Sequence, residues 1–136
     1  VYWRGENGFE AQQKELVYIP MGKYTVDVEG SDGCITTLET EVKGDVKIFN
    51  GVTANNDGMN DFFKIVCLEN FPDNNVKIFN RAGLLVYEQN GYDIYTEKRF
   101  EGISNRGVSI IGKELPIGTY FYVEDKNDGS KANVGY

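Results

Sequence analysis

Histidine is absent from this sequence, and cysteine, proline and tryptophan are scarce, at two, three and one copies in 136 residues. Without histidine the chain lacks the usual general base near neutral pH and the commonest zinc ligand. Ser31, Ser104, Ser109 and Ser130 therefore have no imidazole to activate them, and neither do Cys34 and Cys67. Two cysteines cannot build a four-thiolate metal site. Positive charge is also in short supply: 14 Lys and Arg against 21 Asp and Glu leave a net charge of −7. Such a surface repels a phosphate backbone, so nucleic acid is not an expected partner. No apolar run approaches the length of a membrane-spanning helix, so the chain is expected to have no membrane-spanning segment of its own. No stretch carries the period of a long amphipathic helix. An initiator Met and a signal peptide are missing too, and the opening Val1-Tyr2-Trp3 reads as mid-strand, so a piece of a longer chain is expected.

What remains is rich in turns and rings. Sixteen glycines, nine tyrosines, eight phenylalanines and many Asn, Asp and Gly clusters fit an all-β, turn-rich exported module. The stretch "LPIGTYFYVEDKNDGSK" near the end echoes "IPMGKYTVDVEGSDGC" near the start, with Pro20 and Pro116 lying 96 residues apart (116 − 20). That spacing is close to one immunoglobulin-like domain, so two successive modules with a shared ending are expected. Proline fixes φ for the first corner of a tight turn, glycine relieves crowding two residues on, and a strand follows. Tyr24, Val26 and Val28 alternate with Thr25, Asp27 and Glu29, the period of a sheet with one buried face. Asp32-Gly33 and Asp128-Gly129 then reverse the chain into partner strands.

These signals predict an all-β chain: an immunoglobulin-like β-sandwich over residues 44–136, with a partial β-sandwich module over 1–43 before it. Residues 1–43 hold about three strands' worth of sequence, too few to close a sandwich alone. Asn7-Gly8 marks a first hairpin, Ile35 lies in a strand, and Lys43-Gly44-Asp45 is the polar break. Further strands are predicted at Val46 to Phe49, Phe62 to Cys67, Val76 to Phe79, Leu84 to Tyr87, a pair around Phe100 and Ile110, Tyr120 to Val123, and one after Ser130. The "NRAG" stretch joins two of them as a hairpin loop with Gly83 at φ > 0. In the strand from Tyr120 both faces are apolar, which fits either burial on both sides or an exposed patch kept for a partner.

One phrase could carry chemistry. "TANNDGMNDFF" offers Asn55, Asn56, Asp57, Asn60 and Asp61, oxygens that could wrap a calcium ion or simply cap their own turn. An EF-hand register fails, because it puts Lys64 where the bidentate Glu belongs. Asp57 and Asp61 as a glycosidase pair have a commoner explanation in Gly-rich turns. No enzyme is expected, and no cofactor beyond that calcium. Cys34 and Cys67 are expected as two buried free thiols rather than a bridge. An adhesion module stacking Trp3, Tyr92 and Tyr95 on sugar rings is the alternative function.

Residues 46–136 resemble the gliding motility-associated C-terminal domain, the type B sorting domain of the type 9 secretion system. The resemblance rests on "FNGVTANNDGMNDFFKI", "LENFPDNNVKIFNRAGLLVYE", "FEGISN" and "LPIGTYFYVEDKNDGSKANVGY", in the family's order and spacing. Two aromatics of the family's pattern are missing, at Ala82 and at Phe100-Glu101-Gly102, where the family has Trp. The positions matching the sorting motif are Asn80, Arg81, Gly83, Tyr87, Gly118, Tyr120, Phe121, Gly135 and Tyr136. Residues 1–43 resemble the tail of immunoglobulin-like repeats of large gliding adhesins, through "YWRGENGFEA", "IPMGKYTVDV" and "GSDGC". Together the resemblances imply a carboxyl-terminal sorting signal on a large surface protein. They imply passage through the periplasm to the cell surface, with the outer-membrane translocon of that system and a companion barrel protein as partners.

Overall fold

The structure is a computed structural model, and it describes residues 1–17, 19–93, 95–107 and 111–136. The chain divides into two compact units, Val1–Asp45 and Val46–Tyr136.

The first unit is one antiparallel sheet in the order β2-β1-β3-β4, formed by β1 (Tyr2–Gly5), β2 (Glu10–Ala11), β3 (Gly22–Glu29) and β4 (Ile35–Val42). The first hairpin lies at the expected place: the chain reverses through Glu6–Gly8, with Gly8 at φ 76°, and returns as the two-residue β2 paired with β1. Tyr24 and Val26 are its buried side chains, and the Phe9 ring meets Tyr24 edge-on at 5.4 Å. The β3–β4 reversal uses Gly33 at φ 81°, with the Cys34 amide donating to Asp32 Oδ1 at 3.1 Å. That turn brings Cys34 to the surface, so of the two thiols expected to be buried this one is exposed. Cys67 is partly covered, and both are free thiols.

The second unit holds a four-stranded antiparallel sheet, order β10-β9-β7-β8, and a two-stranded one, β5-β6. Its strands are β5 (Lys47–Phe49), β6 (Lys64–Val66), β7 (Asn75–Phe79), β8 (Leu85–Asn90), β9 (Phe121–Asp125) and β10 (Asn133–Gly135). The chain is all-β, and the residues of this unit gather in one core, as expected of a β-sandwich. Ile65 from β6 and the alternating Val76 and Ile78 from β7 enter the core, and β8 contributes the consecutive Val86 and Tyr87, where its pairing with β7 shifts register. Phe63, Leu68, Tyr92 and Phe100 complete it from the connections. Each such side chain contributes roughly 1.5–3 kcal/mol on burial.

The strand predicted around Phe100 does not form. Its backbone is engaged elsewhere: the Phe100 amide donates to the Tyr92 phenol oxygen at 2.9 Å, and its carbonyl accepts from the Phe63 amide at 2.9 Å. Nearby, Ile103 and Glu114 make an isolated antiparallel bridge. Ile110, named for the partner strand, lies outside the described residues, as does Ser109. Among the described residues the helical content is three single turns of 3-10 helix, and no helix is long and apolar enough to cross a membrane.

Candidate functional site

The repeated Pro-x-Gly-x-Tyr phrase is a hydrogen-bonded corner. Tyr24 Oη donates to the Pro20 carbonyl and Tyr120 Oη to the Pro116 carbonyl, each at 2.7 Å. A tyrosine near or just before the start of the strand thus ties back the turn that feeds it, as in the tyrosine corner of immunoglobulin-like sandwiches. The echo continues beyond the strands. Asp128 Oδ1 accepts from the Ser130 amide at 2.9 Å, as Asp32 Oδ1 accepts from Cys34, and Gly129 stands at φ 88°. The Ser130 hydroxyl and amide hold the Asp128 carboxyl below its ordinary range, and the Cys34 amide does the same for Asp32.

A second turn presents Arg81. The Asn80 side-chain oxygen accepts from the Ala82 amide at 3.0 Å and the Leu84 amide at 2.9 Å, while the Gly83 amide donates to the Asn80 carbonyl at 2.9 Å. Gly83 stands at φ 79°, a value that favours glycine. Next to this turn, Asn105 covers the free edge of β8. It accepts from the Glu88 amide at 2.8 Å and donates to the Glu88 carbonyl at 2.9 Å, imitating a neighbouring strand. Arg106 follows, with its Nε 3.6 Å from Glu88 Oε2 and its Nη1 donating to the Asn105 carbonyl.

Between these two turns lies a groove of about 560 Å³. Asn80, Arg81, Gly118 and Tyr120, all positions of the sorting motif, line it together although they are far apart in sequence. Gly83 lies in the turn beside it. The other motif positions are elsewhere. Tyr87 is a core residue whose phenol is pushed up to about 12, chiefly by burial and then by the Glu101 carboxylate. Gly135 is pressed against Tyr122: a Cβ there would stand 2.5 Å from the phenol oxygen. Phe121 and Tyr136 form an edge-to-face pair, centroids 6.4 Å apart, on the sheet face opposite the core. Phe121 is 46 % and Tyr136 71 % exposed, so of the two expectations for the β9 strand, burial on both faces does not hold. The Tyr136 carbonyl accepts from Asn50 Nδ2 at 2.8 Å.

The Asn-Asp loop is hydrogen-bonded to itself. Asn55 Nδ2 donates to Asp57 Oδ2, the Met59 amide to Asp57 Oδ1 and the Gly58 amide to Asp61 Oδ2, and Thr53 and Asn60 close the loop through their backbones. Asn56 and Asn60 adopt positive φ. Asp61 Oδ1 is enclosed without a hydrogen-bond partner. No group of three acidic, Cys or His side chains converges among the described residues.

Of the aromatics named for sugar stacking, Tyr92 is excluded. It is 1 % exposed, donates to the Phe63 carbonyl at 2.6 Å, and its phenol is held far above the ordinary range, chiefly by burial. Trp3 is half-buried with its indole NH on the Gln13 carbonyl, and Tyr95 is exposed beneath Lys98. Sequence reasoning missed Arg106 and Lys113 as groove residues and Asn105 as the cap on the edge of β8. The charges of Arg106 and Lys113 were visible, but their convergence with Arg81 is set only by tertiary structure.

Comparison with known proteins gives one match. The family model described as the CHU_C type IX secretion signal domain matches residues 46–136. No curated protein and no solved structure matches the chain.

Proposed function

Since the chain belongs to the CHU_C type IX secretion signal domain family through residues 46–136, we propose that this unit is the address by which a large surface protein, a gliding adhesin, leaves the cell. The observation that carries the reading is coincidence of boundaries: the family match starts at residue 46, and so does the compact unit Val46–Tyr136. A unit with its own core presents its surface wherever it is attached. In this reading the outer-membrane translocon of the type 9 system and a companion barrel protein bind the folded unit. The protein passes through the periplasm and ends at the cell surface or outside the cell. The motif positions have two jobs. Tyr87, Gly135 and the Tyr120 corner keep the unit folded, whereas Arg81, Phe121 and Tyr136 are exposed for contact.

The discriminating test is position. The chain is fused either to the carboxyl end of a periplasmic reporter or between two reporter halves, and a glycan array is probed in parallel. A sorting signal exports the first fusion and binds no glycan. Glycan binding in both fusions, without export of either, would replace it with the adhesion reading.

A further inference from the structure

We propose that the groove between the Asn80–Leu84 turn and the Pro116–Tyr120 corner takes an extended, acidic segment of a partner protein, with apolar side chains on its floor and carboxylates against its rim. The inference rests on the sorting reading for the partner's identity, but not for the chemistry.

The floor is apolar, built from Leu84, Val86, Leu115 and Tyr120, and the volume of about 560 Å³ lies within the roughly 300–1,000 Å³ of ordinary ligand pockets. The rim is cationic. Arg81, Arg106 and Lys113 line it against a single carboxylate, Glu114, in a chain whose net charge is −7. Among the described residues neither Arg81 nor Lys113 makes an ion pair, so both cations are free to meet an incoming anion. Arg106 is held at the edge of β8 by Glu88 and the Asn105 carbonyl, and Arg81 rides on the Asn80-capped turn. The Arg106 side chain is thus held before a ligand arrives, which lowers its ordering cost on binding, while the Arg81 backbone is fixed by its turn.

The shape selects a chain rather than a compact ion. Nothing lies within 4 Å of where a Gly118 side chain would be, so a ligand backbone can approach there, and Ile117 beside it is fully exposed. A small anion would use the cations and leave the apolar floor wet. An uncharged ligand would leave the cations unmatched. Alternating carboxylate and apolar side chains satisfy both.

The test is fluorescence anisotropy with the full chain and two short labelled peptides, one alternating Asp with Leu and Phe, the other with each Asp replaced by Lys. The acidic probe should bind, more weakly as salt rises, and the basic probe should not. Arg81→Glu with Lys113→Glu should weaken binding about tenfold or more with melting unchanged, whereas reversal of the exposed Lys64 and Lys131 should not. If the reversed pair melts early, Arg81→Gln with Lys113→Gln is measured instead, and the same selective loss is expected. Equal binding of both probes, no binding, or equal loss in the control pair overturns the groove. Export of a wild-type fusion is scored separately. A chain that is exported but ignores the acidic probe overturns the groove and leaves the sorting reading standing. A chain that binds the probe selectively but is not exported supports the groove's chemistry and removes the sorting reading.

Discussion

Tyr120 ties its own strand to the turn before it, donating its phenol proton to the Pro116 carbonyl four residues back at 2.7 Å. Tyr24 does the same to Pro20 in the first unit. The repeated phrase is therefore a corner built twice. Tyr120→Phe keeps the ring against the core and deletes only the bond, so it should cost about 1 kcal/mol in urea unfolding monitored at the second unit. A neutral result would show that the corner directs the chain without stabilising it.

Tyr92→Phe should cost more. Its oxygen serves both the Phe63 carbonyl and the Phe100 amide in the core, and removing it strands both groups. A buried group left unpaired costs about 1–3 kcal/mol, so the loss should exceed that of Tyr120→Phe. Equal losses in the two variants would mean that water enters and replaces the phenol.

The same tyrosines predict an alkaline limit. Tyr87 holds its proton up to about 12 against 10.0 in the unfolded chain, and Tyr92 holds its own higher still. Between those values the unfolded state binds fewer protons, so stability is full below pH 10 and falls as pH rises toward 12. Ultraviolet titration should show the exposed tyrosines ionising first and the last two only as circular dichroism collapses. Early ionisation of all nine with the fold intact would contradict the burial.

For the Asn-Asp loop, the internal hydrogen bonds predict that a chelator leaves the melting temperature unchanged. A melt lowered by chelator, with the effect lost in Asp57→Ala, would instead make Asp61 Oδ1 part of a cation site. At a hundred times its dissociation constant such a cation would add about 2.7 kcal/mol.

What was legible in the sequence was local. Asp32-Gly33, Asn80 to Gly83 and Asp128-Gly129 each announce a reversal through residues that supply positive φ or a capping oxygen, and each reversal is present. Strands such as Asn75–Phe79 show because one face meets the core. Other features depend on partners distant in sequence. Phe100 has the composition of a strand but gives its backbone to Tyr92 and Phe63. Tyr92 looks like a surface aromatic beside Gly91 until its two hydrogen bonds are seen. The exposure of Cys34 follows from its place at the tip of a turn, which its residue type does not reveal. The groove was illegible for the same reason: Arg81, Arg106 and Lys113 meet only after β8 has paired with β7 and the Asn105 side chain has covered its edge.

The central claim is that the folded second unit is an export address, and the most direct measurement is where a passenger carrying it ends up. A periplasmic reporter with this chain at its carboxyl end is expressed in a host with an intact type 9 system and in one whose translocon is deleted, and intact cells are treated with protease. The account predicts reporter that is protease-accessible in the first host and protected in the second, with Phe121→Ser scored beside it for a surface role separate from stability. A stable, folded fusion that stays protected in the competent host would contradict the claim.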